Sequence, residues 1–123
     1  MSKIYDVILK IAQSPHSISD IYQSGEEYYF RFGNVIFSLV ERFDQREVAQ
    51  FGKHILYVYP KWDRDLKSLD TQFSISEDSV AFVSYNSSEL PEGIQDRLRE
   101  IYKFLQEKSL GLDRQFEQLL NLP

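Results

Sequence analysis

The chain has 123 residues, 42% of them hydrophobic, 27% charged and 15% aromatic, which is the make-up of one globular domain and excludes a disordered segment. A formal net charge of −5 disfavours a general nucleic-acid binder, because phosphate backbones favour basic surfaces. The absence of cysteine removes disulfides, thiol nucleophiles and thiolate zinc sites, and no stretch approaches the ~20 apolar residues of a membrane span.

The chain opens with "SKIYDVILKIAQSP", where Ile4, Val7, Ile8 and Ile11 fall at helical spacing. Ser2 suits the helix start, and Pro15 restricts Ser14 and closes it. Asp6 and Lys10 interrupt the apolar run, so it does not read as a secretory signal, and a cytoplasmic protein is expected. The following "HSISDIYQSG" fits either a short helix ended by Gly25 or an irregular edge segment.

Residues 26–43, "EEYYFRFGNVIFSLVERF", carry six aromatics. Gly33-Asn34 is a favoured two-residue hairpin turn, because both residues tolerate positive φ. That turn sets Phe32 against Val35, Phe30 against Phe37 and Tyr28 against Leu39, and opposed residues share a sheet face. The other face pairs Arg31 with Ile36, Tyr29 with Ser38 and Glu27 with Val40. One face is therefore wholly apolar and the other mixed, and a one-residue slip would scramble the sorting.

Asp44 and Glu47 resemble a capping box, which predicts a short helical turn with Val48 and Phe51 on one side, ended by Gly52. "HILYVYP" reads as a strand stopped by Pro60. "KWDRDLKSLD" suits a short helix with Trp62, Leu66 and Leu69 on one side, or a loop. "TQFSISEDSVAFVSYN" predicts a second hairpin, with Phe73, Ile75, Val80 and Phe82 inward and "SEDS" as its turn. From Pro91, Ile94, Leu98, Ile101 and Leu105 predict a long helix up to Gly111. "DRQFEQLL" then predicts a shorter helix whose Phe116, Leu119 and Leu120 share a face.

These elements define an α+β fold over residues 1–123 as a single domain, with one antiparallel sheet of about five strands packing its dry face on the N-terminal and C-terminal helices. Candidate chemistry is sparse. His16 sits in a turn and His54 opens a strand, neither with a second ligand at metal-pair spacing, and no serine or histidine arrangement anchors nucleophilic catalysis. No catalytic residue, metal ligand or cofactor is assigned. Asp63 and Asp65 stand two apart, a spacing that suits a divalent cation or an acid and base pair but is equally that of a solvated turn beside Lys61 and Arg64. "RFGNVIF" lacks the glycine placement of an RNA-stacking strand, and the five glycines are scattered at element ends rather than gathered in a phosphate loop.

The mixed sheet face remains. Tyr29 and Arg31 would join Tyr57, Tyr59 and Trp62 if the third strand neighbours the hairpin, and Tyr, Trp and Arg are the residues enriched at interface hot spots. The competing structural reading is that a helix covers this face and the tyrosines are core, with hydroxyls at its rim. The leading expectation is a small acidic, non-enzymatic module that binds another protein through that face, as an inhibitor, immunity-type protein or adaptor. Its size, acidity and lack of cysteine are shared by immunity proteins, secretion chaperones and phage-encoded inhibitors. Two alternatives stand beside it: an enzyme using Asp63 and Asp65 with a metal or small molecule, and a structural subunit of a homo-oligomer.

Overall fold

The computed structural model describes residues 3–42 and 53–123. Helix α1 (Lys3–Gln13) leads into an edge strand β1 (Ile18–Ser24), then β2 (Glu27–Phe32), β3 (Val35–Arg42) and β4 (Lys53–Tyr59). Helix α2 (Leu66–Ile75) precedes a last strand β5 (Val83–Asn86), and the chain closes with α3 (Glu92–Leu110) and α4 (Leu112–Leu120). The five strands form one antiparallel sheet in the order β1-β2-β3-β4-β5. The expected α+β class and strand count hold.

The β2–β3 hairpin has the register expected from its turn, with Phe30 opposite Phe37, Tyr28 opposite Leu39 and Tyr29 opposite Ser38. Gly33 supplies the positive φ of 63° that this two-residue turn requires. β4 then pairs with β3 and sets Tyr57 opposite Ser38 and Tyr59 opposite Ile36. The ambiguous segment after α1 is strand rather than helix. Its pairing with β2 breaks register between Ser19 and Tyr22, where Asp20 adopts a left-handed φ of 52°. Such a bulge twists an edge strand and blunts it against further pairing.

The dry face packs as expected. Tyr28, Phe30, Phe37, Leu39 and Leu56 meet Ile8 and Ile11 of α1 and Leu98, Ile101 and Leu105 of α3 in one buried cluster. The second face is not open. Tyr29, Ile36, Val40, Tyr57 and Tyr59 form a second cluster with Leu66 and Leu69 of α2 and with Val80. The sheet is thus the middle layer of three, with α1 and α3 on one side and α2 on the other.

The segment 71–86 is not a hairpin, because helix α2 runs through to Ile75. Asp65 caps α2 by accepting from Ser68 N–H at 2.7 Å, and Leu66, Leu69 and Phe73 follow at helical spacing. That cap and stripe outweigh the weak alternation read from Phe73 and Ile75. "EDS" forms a single 3-10 turn (Glu77–Ser79), and Ile75 points to solvent. Phe73 and Phe82 do meet inward, with ring centroids 5.2 Å apart, but from a helix and a strand approach. The helical turn expected at 44–52 and the Ser2 cap lie outside the described residues.

Candidate functional site

Tyr29, Tyr57 and Tyr59 do not form a surface. They are 0%, 9% and 1% exposed beneath α2, with Tyr57 packed edge-on against Phe73 and Phe82 and Tyr59 against Phe73. Their polar atoms join a small interior network. Tyr29 Oη donates to Glu27 Oε1 at 3.1 Å, Ser38 Oγ donates to Glu27 Oε2 at 2.8 Å, and Ser38 Oγ lies 2.8 Å from Tyr59 Oη. Burial pushes the Tyr29 and Tyr59 phenols well above their ordinary range, so both remain protonated donors. Burial also raises the Glu27 carboxyl, against the opposing hydrogen bonds from Ser38 and Tyr29. The structural reading of this face is the one that holds. Helix α2 covers the three tyrosines, so they present no open surface in this structure.

Arg31 and Trp62 lie nearer solvent but serve local structure. Arg31 Nε pairs with Asp20 Oδ2 at 3.1 Å, and its Nη2 donates to the Arg64 carbonyl at 2.9 Å. Trp62 Nε1 donates to the Asp65 carbonyl at 3.0 Å, and the Arg64 guanidinium sits 4.5 Å from its ring centroid. These contacts tie the β4–α2 connection to β2. An open cleft of about 360 Å³ beside them is lined by Asp20, Tyr22, Arg31, Leu66 and Lys67 among others.

Asp65 is occupied as the α2 cap, and hydrogen bonding from the Ser68 side chain and backbone holds its carboxyl below the ordinary value. Among the described residues no group of three His, Cys, Asp or Glu side chains is gathered as a metal site would need. His54 is buried, with Nε2 2.9 Å from Glu41 Oε2 and its ring against Tyr102 of α3. A carboxylate only accepts, so Nε2 carries the hydrogen. Burial lowers the His54 pKa while Glu41 opposes that shift. His16 lies exposed in its turn.

The apolar surface lies elsewhere. Gly111 takes a left-handed φ of 69° and ends α3, so α4 starts in a new direction. Lys108 Nζ braces the corner by pairing with Asp113 Oδ2 at 3.0 Å. Leu112 is partly covered, and every residue from Asp113 onward is exposed. Phe116, Leu119 and Leu120 of α4 are 50%, 61% and 83% exposed, with Leu110 and Leu122 exposed beside them. The sequence reading placed these three on one face; what it missed is that none of the described residues covers that face. The signal was there in part: a second apolar stripe follows a glycine stop, after the long helix has already supplied the core.

No protein-family model, characterised protein or solved structure matches the chain. Among the described residues no helix is long and apolar enough to cross a membrane.

Proposed function

We propose that this domain is a non-enzymatic protein-binding module, and that its contact surface is the apolar face of α4 rather than the sheet. One observation carries the reading: three large apolar side chains, Phe116, Leu119 and Leu120, stand out on a helix whose polar side faces away from them. A nine-residue helix is marginal in water by itself, because nucleation is costly and tertiary packing supplies most helical stability. An amphipathic helix of this kind is a standard peptide-recognition element, with anchors at i, i+3 and i+4. The titratable groups of the interior fit structural duties: Glu27 holds the second core together and His54 pairs with Glu41. A cysteine-free chain suits the reducing cytoplasm, where an inhibitor or adaptor of this size would act.

Photo-crosslinking tests the reading. Benzoyl-phenylalanine placed at 116 should crosslink to a polypeptide in an extract of the source cells, and Leu119→Ala with Leu120→Ala should abolish the product. The same probe at 31 or 62 should give none. A probe at 116 that captures no polypeptide, its own copy included, would remove α4 as a contact surface.

A further inference from the structure

We infer that β5 is a pairing edge, and that the strand it receives is the β5 of a second copy, in a two-fold antiparallel pair centred on Tyr85. The contact is separate from α4 and involves the rim of the sheet rather than either covered face. β5 lies last in the sheet order, with β4 on one side and no strand on the other. The ladder fixes which of its backbone groups are open. In a two-residue hairpin the residues flanking the turn exchange both backbone bonds, so Phe32 bonds Val35 and the bonding alternates from there. Carried across β3 and β4, this alternation turns Val83 and Tyr85 toward β4, and Ser84 and Asn86 away from it. Among the described residues nothing bonds the outward N–H and C=O groups of Ser84 and Asn86, and Val83 and Ser84 are exposed.

The two rims of the sheet are built differently. β1 is bulged between Ser19 and Tyr22, holds Asp20 at a left-handed φ, and pairs that carboxylate with Arg31. Bulges and charges guard an edge strand against further pairing, and β5 has neither. Its register with β4 runs without a break, and residues 79–88 are the longest stretch of the chain free of Asp, Glu, Lys and Arg. A row of open backbone donors and acceptors is complementary to another extended strand.

Charge selects the second copy. Two molecules of net charge −5 repel least where neither presents a charge, and the uncharged stretch extends past both ends of β5. A foreign strand draws its specificity from charge or from side-chain pockets along the edge, and this rim offers no charge to read. A two-fold axis at Tyr85 sets Ser84 of each copy against Asn86 of the partner subunit, and each such pair exchanges both backbone bonds. Tyr85 then meets its own copy, and aromatic cross-strand pairs are favourable. The flanking acids stay apart, because Glu89 of one copy and Glu89 of the partner subunit lie beyond opposite ends of the paired segment. The pair also closes: both β5 rims are used and the two blunted β1 rims lie outermost, so association stops at two copies.

Sedimentation equilibrium of the intact chain over a wide concentration range is the test, with Ser84→Pro and Ser84→Lys beside it. Ser84→Pro deletes an outward N–H and no bond to β4, a change that an edge strand tolerates. Ser84→Lys keeps the N–H but sets like charges across the axis, and it carries the test if Ser84→Pro does not fold. Circular dichroism and thermal unfolding in dilute solution should show which variants are folded. The wild type should rise from monomer to dimer mass and no further, and each folded variant should pair more weakly by roughly 10-fold or more. Hydrogen exchange followed by NMR should show the Ser84 and Asn86 amides slowing as concentration rises, with those of Val83 and Tyr85 already slow in the monomer. A wild type that stays monomeric throughout would overturn the pairing. So would a dimer that both variants leave intact, or Ser84 and Asn86 amides unmoved by concentration. Capture of a different protein by benzoyl-phenylalanine at 84, with the wild type monomeric, would overturn self-pairing and give the rim to a foreign strand.

Discussion

Ser38 and Tyr59 meet inside the second core with their hydroxyl oxygens 2.8 Å apart. The geometry sets the direction of the bonds. Ser38 gives its proton to Glu27, so Tyr59 must give its own to Ser38. The chain from Tyr59 through Ser38 to Glu27, joined by Tyr29, satisfies the polar atoms that three strands bring beneath α2. Tyr59→Phe removes one donor and should cost about 1 kcal/mol. Ser38→Ala removes a donor to Glu27 and strands the Tyr59 hydroxyl, and should cost about 2 kcal/mol. Urea denaturation should show that order, and the reverse order would mean that the network is differently wired.

Glu27 gives this core a pH dependence. Its carboxyl is raised above 4.5, chiefly by burial, so the folded state holds the proton more tightly than the unfolded chain. The stabilising contribution is present below 4.5 and is lost as pH rises through the raised value. Glu27→Gln should remove that loss, so its thermal midpoint should fall less between pH 4.5 and neutrality than the wild type's. Parallel midpoint-against-pH curves for the two proteins would count against the assignment.

His54 works in the opposite direction. Glu41 faces it from β3, and Arg99 and Tyr102 face it from α3. Burial lowers its pKa below 6.5, so its contribution to stability is complete above 6.5 and is lost as pH falls through the lowered value. Glu41→Gln removes the charge that opposes the shift. The ring should then titrate at still lower pH by NMR, and the variant should lose more stability on acidification. An upward shift of the ring titration would show that Glu41 does not act as its counter-charge.

The two apolar faces of the C-terminal helices should respond very differently to truncation. Leu98 of α3 is fully buried between α1 and the sheet, so Leu98→Ala should cost roughly 2–5 kcal/mol. Leu120 of α4 touches neither core, so Leu120→Ala should change unfolding of the dilute monomer by less than about 0.5 kcal/mol. Denaturant titrations at low protein concentration should separate the pair cleanly.

Most of the fold could be read from local signals. The Gly33-Asn34 turn set the pairing of six residues on each side, and α1 and α3 followed from isoleucine and leucine at helical spacing. The second layer could not be read in the same way. Phe73 and Ile75 alternate like a strand, whereas Leu66, Leu69 and Phe73 repeat like a helix, and only the Asp65 cap and the packing on Tyr57 decide between them. That one ambiguity moved Tyr29, Tyr57 and Tyr59 from an expected surface to a core. Burial depends on which distant element lands on a face, and hairpin register alone cannot supply it. The α4 stripe shows the converse: periodicity revealed an apolar face, but not that the described residues would leave it uncovered.

Hydroxyl-radical footprinting read by mass spectrometry measures both surfaces at once. Tyr29, Tyr57 and Tyr59 should resist oxidation while Phe116, Leu119 and Leu120 react. Ready oxidation of the three tyrosines, with Phe116, Leu119 and Leu120 protected, would contradict the account.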